Sequence, residues 1–191
     1  MTKLMTSIDH PLFSLLESRH SCRKYLDERI PRATMEEILT ATRKAPICNP
    51  GIFFVLSDPA LQAFCDELAP HVAAERPEQN EYGYLPKPMP PFLKDRQRAP
   101  GYALYNSLGI ARRDIAGRRA QFASNYRFFD VPVGIIVSIR RDMGAGCYMD
   151  LGMSILALML AAKSLDYASC GIGAFANYGR FVHRLPEASR R

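Results

Sequence analysis

Residues 149–165 read MDLGMSILALMLAAKSL, helical in composition and apolar nearly all the way round. A helix with no polar face is buried on every side, in a domain centre or at a subunit interface. Upstream, Pro132 introduces VGIIVSI (133–139), the best strand in the chain, closed by Arg140-Arg141-Asp142. Downstream, ASCGIGAF (168–175) is a further strand candidate. IFFVL (52–56), between Pro50-Gly51 and Ser57-Asp58-Pro59, reads as a short buried strand. Few strands with long helices between them predict an α+β fold, helices packed on a small central β-sheet, in a single domain over 1–191.

The remaining helices follow from periodicity. Ile8, Leu12, Leu15 and Leu16 share one face of a helix ending near Arg19. Thr34 and Glu37 have capping-box spacing, with Met35, Ile38, Leu39 and Thr42 as one stripe, and the helix is expected to stop at Ala45-Pro46. Leu61, Phe64 and Leu68 mark another. Residues 73–100, rich in proline, tyrosine and charge, are expected to be a long loop or cover segment, with PKPMPP turning rather than serving as a polyproline ligand. Helical pattern returns from Tyr102 to about Arg127, interrupted near Gly117, and a last short helix spans Tyr178–Leu185.

Composition narrows the partners. The formal charge is +6, from 25 basic and 19 acidic residues, but the basic residues are scattered and form no stripe interleaved with aromatics. Nucleic acid is therefore not an expected partner. Five cysteines at irregular spacing give no zinc pattern and suit a reducing compartment. The N-terminus lacks the apolar core of a signal peptide, and Leu151–Ala162 is too short to span a bilayer. A cytoplasmic protein with no membrane partner is expected.

Residues 18–25, SRHSCRKY, concentrate charge and hydroxyl donors. One reading is a helix end with solvated basic residues. The other is an anion cradle in which Arg19 and Arg23 supply forked, permanent charges and Ser21 a hydroxyl. CGIGAF fails the dinucleotide fingerprint, since no GxxG completes it. Its glycines fit a close approach, either by another backbone or by a flat ligand meeting main-chain N–H groups. Ser21 has no nucleophile-elbow context, and no catalytic residue is assigned. Cys22 beside Arg23 is read as a small packing cysteine.

Together these pieces resemble the FMN-dependent nitroreductase family, in its nitroaromatic and nitrobenzoate reductase-like subgroup. SRHSCRKYLDERIP looks like the family's phosphate segment, ILTATRKAPICN like the helix and turn after it, and NYRFFDVPVGIIVSI like its strand entry. YMDLGMSILALMLAAKSL is similar to its central helix, SCGIGAF to the strand passing the flavin ring, and 105–119 to a subgroup region. The resemblance implies FMN with its phosphate on Arg19, His20, Ser21 and Arg23, Asn49 bonded to the ribityl chain or ring edge, and Gly171, Ile172 and Gly173 offering backbone N–H groups to the ring. It implies a homodimer, NAD(P)H as electron donor, and ping-pong reduction of nitroaromatic or quinone-type acceptors. A catalytically impaired flavin-binding relative, or another flavin redox reaction on the same fold, is the alternative. The turn APICNPGIFF departs from the family pattern A-P-S-x-x-N-x-Q-P-W, so acceptor contacts are not carried over. Asp166 stands where the family favours glycine, near a helix end, and Asp tolerates φ > 0. The family's sequences continue past the equivalent of RLPEASRR into a further strand with a basic phosphate contact; here the sequence ends, a C-terminally shortened version.

Overall fold

The computed structural model describes residues 10–45, 48, 50–74, 86 and 88–182. Ile8, Asn49, most of 75–87 and the last residues of the expected C-terminal helix lie outside the described residues. The chain forms two compact units. The first takes the described residues up to Leu61 with Val131–Gly171, and the second takes Gln62–Asp130 with the residues from Ile172 onward.

In the first unit, α1 (Pro11–Ser18) and α2 (Arg32–Thr42) both pack on α6 (Ala145–Ser164). β1 (Gly51–Ser57) and β2 (Val133–Ile139) pair antiparallel, in register from Gly51 opposite Ile139 to Ser57 opposite Val133. The expected α+β class holds, with a two-stranded sheet. β1 is less covered than its apolar sequence suggests, since Ile52 is 52% exposed and Val55 38%. No capping box forms. Pro31 occupies the N-cap position with ψ 140°, which places Thr34 inside the first turn, and no side chain caps the helix. The helix ends at Thr42, before the expected Ala45, and the chain turns through Arg43–Ala45.

Gly51 starts β1 because nothing larger fits. A Cβ there would collide with the Leu151 Cδ1 of α6 and lie 3.1 Å from Phe53 Cε2. Leu151 is buried, so making room for that Cβ requires its side chain to repack within the unit. Gly51→Ala should therefore lower stability by about 1–3 kcal/mol, the usual cost of overpacking. Urea titration reads this as a lower midpoint at unchanged slope, and an unmoved midpoint would contradict the packing.

At its other end α6 closes on Asp166, at φ 62°, whose N–H donates to the Lys163 carbonyl at 3.1 Å while Tyr167 N–H donates to Ala162 at 2.9 Å. This pair of bonds is a Schellman cap, and it demands the left-handed conformation expected at Asp166. The burial of α6 differs from expectation. Asp150, Leu151, Ser154 and Ala162 are buried, but Met149 is 70% exposed, and Met153 and Leu156 are 39% and 41%. The spacing 149, 153, 156 places these three on one face. α1 also exposes Leu12, Phe13 and Leu16. By length and composition alone α6, 20 residues long, could cross a membrane. Buried Asp150 and the packing on α1 and α2 fit a core helix instead.

The second unit is built around aromatic rings. Phe64 of α3 (Ala60–Ala73) has its ring centroid 6.0 Å from Phe128, 6.0 Å from Phe175 and 5.4 Å from Phe181. Phe128 and Phe175 are 4.5 Å apart, and Tyr126 meets Tyr178 edge-on at 5.1 Å. Asn177 donates its side-chain N–H to the Tyr126 hydroxyl at 3.2 Å. Phe128, Phe129 and Asp130 all have φ between 52° and 57°. Left-handed backbone costs L-residues about 1–2 kcal/mol each, and burial of both phenyl rings offsets it. Cys65 is buried in this unit, and that burial pushes its thiol up to about 11.

Three expectations fail here for local reasons. Residues 91–100 are not loop: α4 (Pro91–Ser107) contains them, because proline is well suited to the first helical position. Pro100 is accommodated within the helix. The interruption falls at Leu108–Asp114, where Gly109 has φ 68°, and not near Gly117. Gly117 lies inside α5 (Ile115–Ala123), its N–H capped by the Asp114 carboxylate at 2.8 Å. Residues 168–175 make no strand. Ser169 forms one isolated bridge, and Ala174–Tyr178 is a 3₁₀ helix leading into α7 (Gly179–Val182). Glycines at 171 and 173 weaken strand pairing.

Candidate functional site

The arginine-rich stretch is positioned by where α1 stops. Arg19 turns to extended backbone at φ −70° and ψ 122° while its N–H still bonds the Leu15 carbonyl. The chain then runs alongside 168–171. Ser21 pairs with Ser169 in a parallel bridge, and Cys22 N–H donates to the Ser169 carbonyl at 3.1 Å. Two segments singled out separately in the sequence thus lie side by side within the first unit.

Arg19 is half-buried there, while His20, Ser21 and Arg23 are exposed. Arg23 Nη1 donates to the Ser21 carbonyl at 3.2 Å, which holds the guanidinium back over its own turn. His20 Nδ1 lies 3.1 Å from the Ser18 carbonyl. A carbonyl only accepts, so Nδ1 carries the proton, and Nε2 becomes a donor to an anion only in the imidazolium form. Tyr25 donates its hydroxyl to the Cys22 carbonyl at 2.7 Å. Burial raises that hydroxyl well above its ordinary range, with Cys170 and Cys22 adding to the rise and Arg23 opposing it.

Cys170 shows where the donors converge. Burial raises its thiol, while Arg23, a hydrogen bond from Ser21 and Arg19 pull it down. The net shift is upward, because burial and Cys22 outweigh the two guanidinium groups and the Ser21 hydroxyl. This donor set fits a phosphate, since guanidinium forks match its oxygens and carry the opposite charge.

Gly171 is exposed, and a Cβ on it would meet no described atom within 4 Å. No described backbone approaches this glycine closely, and its N–H is accessible from that side. Ile172 and Gly173 begin the C-terminal part of the second unit. Ile172 is half-buried, and Gly173 precedes the 3₁₀ helix with equally open space at its Cβ position. Asn49 lies outside the described residues. Cys170 and Tyr25 were not singled out from the sequence. Their role depends on a non-local pairing that leaves no spacing signal.

The second unit has a basic region of its own. Arg112, Arg113 and Ile115 border a cavity of about 660 Å³. Arg118 stacks its guanidinium over Tyr105 at 4.1 Å, and Arg112 lies 5.9 Å from the Tyr102 ring centroid. Among the described residues no group of three or more His, Cys, Asp or Glu is arranged to hold a metal.

The chain is similar to known proteins over most of its length. A family model described as Nitroreductase family matches residues 16–188. A 4-nitrobenzoate reductase from Nocardioides sp. (strain LMS-CY) is 28% identical over 172 residues, covering 86% of this chain and 69% of the relative. A nitrobenzene nitroreductase from Ectopseudomonas oleovorans is 28% identical over 160 residues, covering 82% and 70%. The crystal structure of the FMN and NADPH-dependent nitroreductase NfnB from sphigopyxis sp. strain HMH superposes with a TM-score of 0.86 at 34% identity, covering 91% of this chain and 79% of that one.

Proposed function

The chain belongs to the nitroreductase family, and from that membership we propose an FMN-dependent NAD(P)H oxidoreductase that reduces nitroaromatic or quinone-type acceptors as a cytoplasmic homodimer. The observation that carries the reading is the bridge that lays the turn of Arg19, Ser21 and Arg23 alongside 169–171, with Gly171 open. Relatives named for nitrobenzoate and nitrobenzene reduction support the acceptor class, and a neighbour named for FMN and NADPH supports the cofactor and donor. The family match over residues 16–188 supports a single nitroreductase-like domain.

Bound FMN supplies a centre that takes a hydride from a reduced nicotinamide and passes electrons on in pairs. The chain's residues bind and orient it. Arg19 and Arg23 neutralise the phosphate, and Ser21 donates its hydroxyl. His20 adds a donor when protonated. Gly171, whose Cβ position is open, would offer its main-chain N–H to the ring, Ile172 and Gly173 would offer theirs, and Asn49 would bond the ribityl chain or ring edge. The face of Met149, Met153 and Leu156 supports the dimer, because exposed apolar surface of this kind marks an association site.

Turnover tests the proposal. NADPH consumption should require both FMN and an acceptor such as 4-nitrobenzoate, with reduced nitrogen products. Bound FMN that NADPH leaves oxidised would instead identify a non-catalytic flavin-binding relative. Reduction of the cofactor with a fragmented or dehalogenated product would point to another flavin reaction.

A further inference from the structure

We propose that Cys22 and Cys170 form a redox pair, which a hydroperoxide oxidises to an intramolecular disulfide at the arginine corner. The parallel bridge between Ser21 and Ser169 sets these two residues, each the next in its segment, beside one another. Paired strands lie about 4.8 Å apart, inside the Cα separation of roughly 4.4–6.8 Å that a disulfide spans. The bond from Cys22 N–H to the Ser169 carbonyl, 3.1 Å long, holds this register. The bridge is isolated, so no strand ladder resists the small adjustment that S–S bonding needs. Both side chains are half-buried, within reach of a small oxidant, whereas Cys65 is enclosed. In the reduced chain Cys22 Sγ donates to the Lys24 carbonyl at 3.1 Å and Cys170 Sγ to the Gly171 carbonyl at 3.7 Å, local contacts that both thiols give up when the S–S bond forms.

The chemistry balances with hydrogen peroxide as oxidant. One thiolate attacks a peroxide oxygen, breaking the O–O bond and giving a sulfenic acid and hydroxide. The second thiolate attacks the sulfenic sulfur, forming the S–S bond and expelling a second hydroxide. Both hydroxides take up the thiol protons, so two thiols and one peroxide give one disulfide and two waters, with two electrons passing from sulfur to oxygen. The product cross-links the arginine corner to 169–171, making that corner responsive to redox state. This inference stands apart from the flavin reading.

The test uses the full-length reduced protein, treated with one equivalent of hydrogen peroxide, alkylated, cut with trypsin and analysed by mass spectrometry. Cleavage after Arg19, Arg23, Lys163 and Arg180 isolates peptides 20–23 and 164–180. They should appear joined, the titre of five thiols should fall by two, and dithiothreitol should restore it. Cys22→Ser and Cys170→Ser should each abolish the joined species. Should either variant fail to fold, the wild-type digest still decides. Alkylated Cys22 and Cys170 after peroxide, or either one joined to another cysteine, would overturn the proposal.

Discussion

Leu156→Asp is expected to give a monomer that keeps the fold of its own chain. Leu156 is 41% exposed within one chain, on the same face of α6 as Met149 and Met153, so a carboxylate there stays hydrated as long as the chain is alone. Dimer formation removes that water. Burying an uncompensated ion costs several kcal/mol, and a twofold interface presents the substituted residue from both protomers. Light scattering after gel filtration should show half the wild-type mass, with an unchanged far-ultraviolet circular dichroism spectrum. Leu156→Ala, which removes apolar area without adding charge, should leave a weakened but detectable dimer. A stable Leu156→Asp dimer would mean that another surface carries the association.

Replacing both arginines of the corner is expected to have the largest effect on cofactor affinity. Each charge-assisted hydrogen bond to phosphate is worth about 1.5–3 kcal/mol. Arg23→Ala alone should therefore raise the FMN Kd by roughly one to two orders of magnitude. Arg19→Ala with Arg23→Ala should raise it further, although not as the sum, because both groups act on one phosphate and their effects are coupled. The control is Arg32→Ala. Arg32 lies on α2 with its side chain 93% exposed and paired to Glu36, so its loss changes net charge by the same amount as Arg23→Ala without touching the corner. Fluorescence titration of FMN separates the two. Equal effects of Arg32→Ala and Arg23→Ala would reduce the corner to general electrostatic attraction, and an unchanged Kd in Arg23→Ala would remove that residue from the site.

Much of the fold was legible because it is written locally. The apolar run of VGIIVSI and the stripe of Leu61, Phe64 and Leu68 led directly to β2 and α3. The mistakes come from residues whose meaning depends on position. Pro91 looks like a loop residue until it falls at the first position of α4, and Gly117 looks like a break until Asp114 caps it inside α5. Thr34 has the spacing of a cap, but the chain enters α2 from Pro31. Composition showed that α6 has no polar face, but not which of its apolar residues the chain itself covers, and that depends on side-chain exposure in the fold.

The candidate site divides in the same way. Charge and hydroxyl density in SRHSCRKY offered Arg19, Ser21 and Arg23 as anion donors, because those groups fall within five residues of chain. Their pairing with Ser169 and Cys170 was not legible, since a single bridge between distant segments imposes no periodicity. The part of Gly171 was half legible. Its freedom from side-chain bulk was plain, but whether a backbone or a ligand uses that freedom depends on the open space at its Cβ position.

The visible absorbance spectrum of the purified protein, recorded with FMN before and after NADPH, tests the central claim most directly. The account predicts a yellow protein that retains its flavin band through desalting and loses it when NADPH is added anaerobically. A chain that folds yet stays colourless after equilibration with saturating FMN would contradict it.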